Sequence, residues 1–345
     1  MENRRWFAAA AAALGMLALI LDSRTAFSGG AEGVALCIKT VIPALFPFLF
    51  LSGIFTAAFR GSNGSLLGIL GKLFLLPPSL SFLLVPAFLG GYPIGAQCLS
   101  QLCRSGLLEK KQAERMLCFC SNVGPAFVFG ILSLKFERKW LVWAVWLIQI
   151  LSAWTAARFF LVPGIQESAL SAEKPEAHSR AGMEPAIGAM LKICGWVILF
   201  RVIIEFLDKW SFHAVPPTWR VALIGLLELS NGCCSLNLIP QEGLRFVICN
   251  GILAFGGVCV AYQTGSVCPG MKLTGYYTGK AFQAAIALLL AYGIAFRSWL
   301  VLPAWLLATL LLPKYLQKRV EILRELMYNG NKKNGGMCYA VSQED

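Results

Sequence analysis

Residues 80–102 read LSFLLVPAFLGGYPIGAQCLSQL, an apolar stretch that is long enough to cross a membrane as one helix. Its centre is Gly90-Gly91-Tyr92-Pro93. A proline inside a helix costs ~3 kcal/mol or more, because it removes a hydrogen bond and clashes with the preceding turn. Each side of this break is about ten residues, or ~15 Å, which is half of the hydrocarbon core. The stretch therefore predicts a re-entrant hairpin of two half-helices, with a kinked spanning helix as the alternative.

The composition of the whole chain agrees with a membrane location. Of its 345 residues, 57% are hydrophobic and only 14% are charged, whereas soluble proteins carry about 25% charged residues. Stretches that approach or reach the length of a membrane span lie at 6–21, 36–59, 140–162, 186–207, 281–296 and 299–312. The sequence thus predicts an all-α polytopic membrane protein and not a soluble enzyme.

The excess of basic residues has an ordinary explanation in such a protein. The net charge is +12, which fits loops that obey the positive-inside rule better than binding of nucleic acid. The twelve cysteines and two histidines lack metal-ligand spacing. We expect no cofactor, no metal and no catalytic residues. The first apolar stretch, 6–21, resembles a signal peptide, but no good cleavage site follows it, so a retained helix is favoured.

The chain divides into two membrane halves that follow a similar order. Each half begins with a long span, continues with a broken apolar run, a charged segment and a second broken run, and ends with a full span. Interrupted segments at matching places of two halves are typical of a transporter binding site. The expected parts are an N-terminal helix and loop (1–34), a first repeat (35–163), a polar linker (164–185), a second repeat (186–296), a C-terminal helix with a basic end (297–328) and a polar tail (329–345).

A second break of the first half lies at Ser121-Asn122-Val123-Gly124-Pro125. Asn122 suits an N-cap and Pro125 an early helical position. We expect a half-helix to begin here, with free amide groups that favour an anion or a polar oxygen. An ordinary loop at the membrane surface is the alternative.

The second half carries an ionisable residue inside an apolar run. Glu228 follows residues 221–227 and precedes Leu229. A charge at mid-membrane costs ~2.5–3.5 kcal/mol on insertion scales, so Glu228 should face a cavity or a partner, or else lie at the membrane interface. Asn250 opens the next run, which is broken at Gly256-Gly257.

These breaks are expected to converge on one polar cavity near the midplane. Each break places unpaired backbone groups in an apolar setting, where each costs several kcal/mol, and a shared cavity lets them satisfy one another. The predicted substrate-binding residues are Gly90, Gly91, Tyr92, Pro93, Gly95, Gln97, Asn122, Gly124, Pro125, Glu228, Ser230, Asn231, Gly232 and Asn250.

Basic residues near these runs are candidate charge partners. Arg201 and Glu205 are four residues apart on one helix face and should pair with each other, with anion binding by Arg201 as the alternative. Arg245 and Lys280 are weaker cationic candidates.

Several of these motifs resemble a known family. The segment GGYPIGA at 90–96 and the segment CSNVGPAFVFG at 120–130 resemble the nucleoside recognition (Gate) domain family. The segments IPALFPF at 42–48 and ELSNG at 228–232 resemble the YlbJ-type sporulation integral membrane proteins of that family. The resemblance runs from about residue 35 to residue 295. It implies two inverted Gate-type repeats with re-entrant hairpins, similar in plan to concentrative nucleoside transporters.

For YlbJ-type members the resemblance also implies a role in endospore formation and dipicolinate, a planar aromatic dicarboxylate, as cargo. We therefore expect a transporter or facilitator of a small organic anion in the bacterial cell membrane, with the outer forespore membrane as a candidate location. The lipid bilayer, a coupling cation or proton and a second copy of the chain are the expected partners. A transporter of nucleosides or other polar solutes and a non-transporting scaffold of spore assembly are the alternatives.

Overall fold

The computed structural model describes residues 2–59, 65–161, 183–313 and 315. Within these residues every regular element is a helix. The predicted linker 164–185 lies outside the described residues except for its last three, which begin a helix, and the predicted tail 329–345 lies wholly outside them.

The first half of the chain alternates long helices with short ones. A π-helical turn at Cys37–Val41 joins the second helix to the third, and a 3-10 turn at Pro78–Leu83 leads into the fifth. The helices are α1 Glu2–Leu21, α2 Ser23–Leu36, α3 Ile42–Phe59, α4 Ser65–Leu73, α5 Leu84–Leu89, α6 Ile94–Arg104, α7 Lys110–Met116, α8 Pro125–Ile131 and α9 Trp140–Phe160.

The second half repeats this alternation. Its helices are α10 Met183–Trp210, α11 Pro217–Leu227, α12 Leu229–Cys234, α13 Glu242–Phe255, α14 Gly257–Val267 and α15 Thr274–Ala295. A further helix, α16 Val301–Pro313, belongs to a separate compact unit that begins at Trp299.

Among the described residues, five stretches are long and apolar enough to cross a membrane: Ser23–Phe59, Trp140–Phe160, Met183–Trp210, Glu242–Val267 and Thr274–Ala295. A pair of shorter segments, Leu67–Leu73 and Pro78–Leu89, would make a sixth if counted together, but they are bent by 92°. For the part of the chain that the structure describes, these stretches confirm the prediction of an all-α protein with several helices that are apolar and long enough to span a membrane.

The first long span begins earlier than the sequence predicts. We expected a span at 36–59 preceded by a loop, but the helix starts at Ser23. The reason is packing against α10. A Cβ on Gly29 would lie 2.9 Å from the Cα of Val202, and one on Gly33 would lie 2.8 Å from the Cα of Ile198. Small residues spaced in this way let two helix backbones approach closely.

Ion pairs secure the same helix contact. Arg201 pairs with Glu205 at 2.7 Å, as the spacing predicts, and its guanidinium also donates to Glu32 of α2. Because two carboxylates occupy Arg201, the alternative of anion binding by this residue is not supported. At the end of α10, Lys209 donates to Asp22 and holds the pKa of that carboxyl below its usual range.

The chain reverses direction at 90–93. A Cβ on Gly95 would come within 3.1 Å of the Cα of Ala87, whereas residues this far apart in one helix are separated by ~12 Å at ~1.5 Å per residue. The same occurs around Glu228, since a Cβ on Gly232 would overlap the Cα of Gly225. The two sides of each break therefore lie next to each other in the described structure.

Each half also contains an interrupted helix after its reversal. In the first half, residues 117–124 separate α7 from α8 and are buried throughout, which rules out a surface loop. In the second half, Gly256 separates α13 from α14, whose first residue is Gly257, and the two glycines have φ angles of +84° and +82°. These left-handed values favour glycine, so the predicted break at this position is confirmed.

Candidate functional site

Both reversals and the interruption at 117–124 meet at one cleft. Its polar lining consists of Tyr92, Glu228, Ser230 and Gln263, together with the backbone of Gly124. The other lining side chains are Val, Leu, Ile and Phe, and the cleft has a volume of about 30 Å³ open to water-sized molecules. Small-molecule sites are mostly apolar with a few polar groups. The cleft has the lining of such a site, and an organic solute would require it to widen.

Four of the predicted site residues therefore line a common space: Tyr92, Gly124, Glu228 and Ser230. The two first-half breaks touch directly, because a Cβ on Gly124 would lie 3.0 Å from the backbone nitrogen of Gly91. Gly90 and Pro93 are buried beside them, and Gly95 packs against the carbonyl of Cys120.

Asn122 does not have the predicted role of an N-cap. Its side-chain amide donates to the carbonyls of Phe119, at 2.6 Å, and Ala87, at 3.3 Å. Gly124 stands at the N-cap instead, with Pro125 as the first residue of α8. Asn122 is thus a brace between the reversal and the interruption, because its donors serve carbonyls that these irregular segments leave without a helical partner.

Glu228 occupies the start of α12, and its carboxylate faces inward. The residue is 1% exposed, so its carboxylate does not extend to the surface of the protein as the interfacial alternative requires. Its Oε2 atom accepts from the backbone N–H and the side-chain amide of Asn231, both at 2.7 Å. No ion pair involves Glu228 in the described part of the chain. The N-terminus of α12 is therefore capped by the chain's own carboxylate and offers no amide at Asn231 to a ligand.

The remaining predicted residues of the second half, Asn231, Gly232 and Asn250, do not line the cleft. Asn231 is half-buried, and Gly232 packs on α11. Asn250 donates to Phe246 O at 2.9 Å and accepts from Gln149 of α9 at 3.2 Å, so it ties two helices together.

Two further predicted residues do not reach the cleft either. Gln97 is half-buried in α6 and is absent from the lining. Arg245 donates to the carbonyls of Lys135, Ile239 and Pro240, which fixes loops to α13 and provides no partner for Glu228.

Two residues of the site are not among the predicted substrate-binding residues. Lys280 contacts the lining residue Tyr92, and Gln263 lines the cleft itself. Lys280 is 1% exposed, and its Nζ atom donates to the hydroxyl of Tyr92 at 2.9 Å. The signal for Lys280 was the same as for Glu228, namely an ionisable residue inside an apolar span. Gln263 carries no comparable signal, because its side-chain amide bears no charge.

A metal centre finds no support among the described residues, where no group of three or more His, Cys, Asp or Glu side chains is placed to hold an ion.

The chain is similar to the sporulation integral membrane protein YlbJ of Bacillus subtilis (strain 168), with 25% identity over 123 residues. The likeness covers 35% of this chain and 30% of that protein. No protein-family model matches the chain and no solved structure matches it, so the resemblance to the Gate domain family stays a prediction. The long apolar helices and this partial likeness together make the chain an integral membrane protein.

Proposed function

We propose that the chain is a membrane transporter or facilitator that binds a small organic solute in the cleft. One observation carries this proposal: the reversals of both halves and the interruption at 117–124 meet at a partly polar space with a buried carboxylate on its wall. Irregular backbone at membrane depth is tolerated where it lines a cavity. A scaffold would need no such cavity, and the lining suggests no enzyme chemistry.

We further propose that the two halves are inverted repeats whose reversals are re-entrant hairpins. The contacts of α2 with α10 support this arrangement. Gly29 faces Val202 and Gly33 faces Ile198, so the two helices run in opposite directions. Asp22 at the start of one also meets Lys209 at the end of the other. Because α2–α3 and α10 open their respective halves, the second half would run through the membrane opposite to the first.

The proposed cargo is a small organic anion, with dipicolinate as the leading candidate. The relative's name places that protein in sporulation, and the resemblance of the motifs implies this dicarboxylate. The apolar walls of the cleft suit a flat ring. An ionised Glu228 would repel the carboxylates, since like charges in a low dielectric interact strongly. Anion binding thus requires Glu228 to take up a proton or a cation, which would couple transport to that ion.

A neutral polar solute, such as a nucleoside, is the second candidate. The polar groups that line the cleft in the described residues are a carboxyl, hydroxyls and an amide, and none is basic. Such groups hydrogen-bond readily to sugar hydroxyls and base edges. A role as a non-transporting scaffold of spore assembly is the third.

Uptake into proteoliposomes, with a panel of dicarboxylates and nucleosides, tests the proposal. We expect wild-type flux of dipicolinate to rise as pH falls from about 8 to about 5, the range in which a buried carboxyl can take up a proton. Glu228→Gln should flatten this profile because glutamine mimics the protonated acid. Glu109→Gln, which changes an exposed carboxylate, should keep the wild-type profile.

Flux no greater than that of empty vesicles for every solute would overturn the transport proposal. Uptake of nucleosides without dicarboxylates would favour the second candidate. An unchanged pH profile in Glu228→Gln would show that this residue carries no coupled proton.

A further inference from the structure

A buried lysine connects the irregular segments of the two halves. The Nζ atom of Lys280 in α15 donates to three oxygens: the hydroxyl of Tyr92 at 2.9 Å, the carbonyl of Ala254 at 3.2 Å and the side chain of Gln283 at 2.9 Å. These three oxygens match the three N–H bonds of an ammonium group. All three acceptor oxygens are uncharged. In the described structure Lys280 also forms no ion pair with a carboxylate.

Tyr92 completes the connection from the other side. Its hydroxyl accepts from Lys280 and donates to the carbonyl of Leu253 at 2.9 Å. Leu253 and Ala254 lie in the last turn of α13, where the interruption at Gly256 leaves carbonyls without a helical donor. Side chains from the first half and from α15 thus supply the hydrogen bonds that a continuous helix would have supplied.

The shape of the interruption matches the tyrosine ring. A Cβ on Gly256 would lie 3.3 Å from Cζ and 3.4 Å from Oη of Tyr92, so the ring occupies the notch that the absent side chain leaves. The Nζ atom of Lys280 lies at the hydroxyl edge of the same ring, 4.9 Å from its centroid.

Gln283 extends the connection to a third segment. Its amide donates to the carbonyl of Cys118 at 2.5 Å, within the interruption at 117–124. Lys280 therefore donates to the reversal at 90–93, to the last turn of α13 before the interruption at 256–257, and to a side chain bound to the interruption at 117–124. Two of these segments line the proposed transport cleft.

We propose that Lys280 is a positioning residue of this site. It fixes Tyr92, a lining side chain, in the notch at Gly256, and thereby makes the reversal of the first half and the interruption of the second half move as one unit. The role in transport rests on the proposed function of the cleft, whereas the mechanical coupling of the two segments does not.

Hydrogen–deuterium exchange on the purified full chain tests the coupling without any substrate. Tyr92→Phe deletes one hydroxyl and keeps the ring. We expect backbone amides in both 86–97 and 250–260 to exchange about tenfold faster. The substitution removes the hydrogen bond that Tyr92 accepts from Lys280 and the one that it donates to Leu253. Tyr276→Phe is the matched control, since that hydroxyl is equally buried and lies near Gly256 but bonds to neither segment in the described structure. It should leave 86–97 unchanged.

Acceleration in only one segment, or the same change in both segments with the control, would overturn the coupling. Lys280→Met should reproduce the pattern of Tyr92→Phe, but it removes three hydrogen bonds and can prevent folding. The conservative tyrosine variant therefore decides the question.

A transport arm then tests the positioning role. In proteoliposomes we expect Tyr92→Phe to raise the half-saturating concentration about tenfold, with a smaller change in maximal flux. Lys280→Met combined with Tyr92→Phe should shift it by less than the sum of the two separate shifts, because both substitutions remove the same Lys280–Tyr92 hydrogen bond. Additive shifts would overturn the positioning role. If the wild type transports nothing, the proposed function fails, while the exchange result still decides whether the two segments are coupled.

Discussion

Buried polar side chains are the feature of single residues that shapes this molecule. Glu228, Lys280 and Asn122 are each almost wholly buried, and each donates to or accepts from backbone that a regular helix would have satisfied itself. Unpaired polar groups in a low dielectric are costly, which is why these side chains sit at the irregular segments. The breaks leave backbone groups without helical partners, and these buried side chains supply the missing hydrogen bonds.

Asn122→Ala should destabilise the chain. The substitution leaves the carbonyls of Ala87 and Phe119 without their side-chain donor, and an unsatisfied buried acceptor costs about 1–3 kcal/mol. Thermal unfolding of the purified protein in detergent, followed by helical circular dichroism, should show a lower midpoint. Gln97→Ala, at a half-buried site outside the cleft, serves as the control and should change stability little. Equal midpoints for the two variants would show that Asn122 is no brace.

The sequence predicts the location of such residues better than their partners. Cost alone indicates that Glu228 should face a cavity or a partner, and its residue lines the cleft and accepts hydrogen bonds from Asn231. The same argument applies to Lys280, but its acceptors are a hydroxyl, a carbonyl and an amide from distant segments. Partners this far apart along the chain follow from tertiary structure and cannot be read from local spacing. For this reason the sequence predicts Asn122 as the N-cap of the next helix, whereas its side chain donates to Phe119 and to the distant Ala87.

At the scale of whole helices, glycine has two different effects in this chain. Gly-Gly-Tyr-Pro and Gly256-Gly257 end helices, and local chemistry predicts both because proline lacks an N–H and positive φ favours glycine. Gly29 and Gly33, by contrast, lie inside a helix and serve packing. A run rich in serine and glycine resembles a loop when read alone, so the start of α2 was missed. Contact with α10 overrides the low helix propensity of glycine.

Gly33→Ala should weaken the contact of α2 with α10. The added methyl group would lie 2.8 Å from the backbone of Ile198, and such overpacking costs about 1–3 kcal/mol. The unfolding midpoint in detergent should fall accordingly. Gly30→Ala makes the same chemical change one turn away, where the nearest atom is a side-chain methyl of Val202 at 4.0 Å. That control should be neutral or slightly stabilising, since alanine favours helix, and a midpoint as low as that of Gly33→Ala would refute the packing argument.

At the scale of the whole molecule, the order of the helices along the chain determines which residues line the cleft. Each half contributes a reversal followed by an interrupted helix, and the two sets meet face to face. If the halves are inverted, the reversal of each half reaches the midplane from the opposite surface. Lining residues from both then face one space that a rocking motion of one half against the other could expose alternately.

Side-specific labelling tests this topology in sealed, oriented vesicles. The accessible or undescribed native cysteines Cys103, Cys194, Cys234 and Cys338 are first replaced by serine, while the buried ones are left in place. Single cysteines are then introduced at Ser79 and Ser105, which flank the first reversal, and at Ser211 and Gln241, which flank the second. A membrane-impermeant maleimide is applied from one side at a time.

The expected result follows from the direction of the opening helices. The first reversal comes after the end of α3 and the second after the end of α10, and because α2–α3 and α10 run oppositely, these ends lie on opposite surfaces. Ser79→Cys and Ser105→Cys should therefore label from one side, and Ser211→Cys and Gln241→Cys from the other. Labelling of the first two from different sides would mean that 80–102 crosses the membrane. Labelling of all four from one side would rule out inversion, and the proposed cleft would then lack the opposed entrances that alternating access requires.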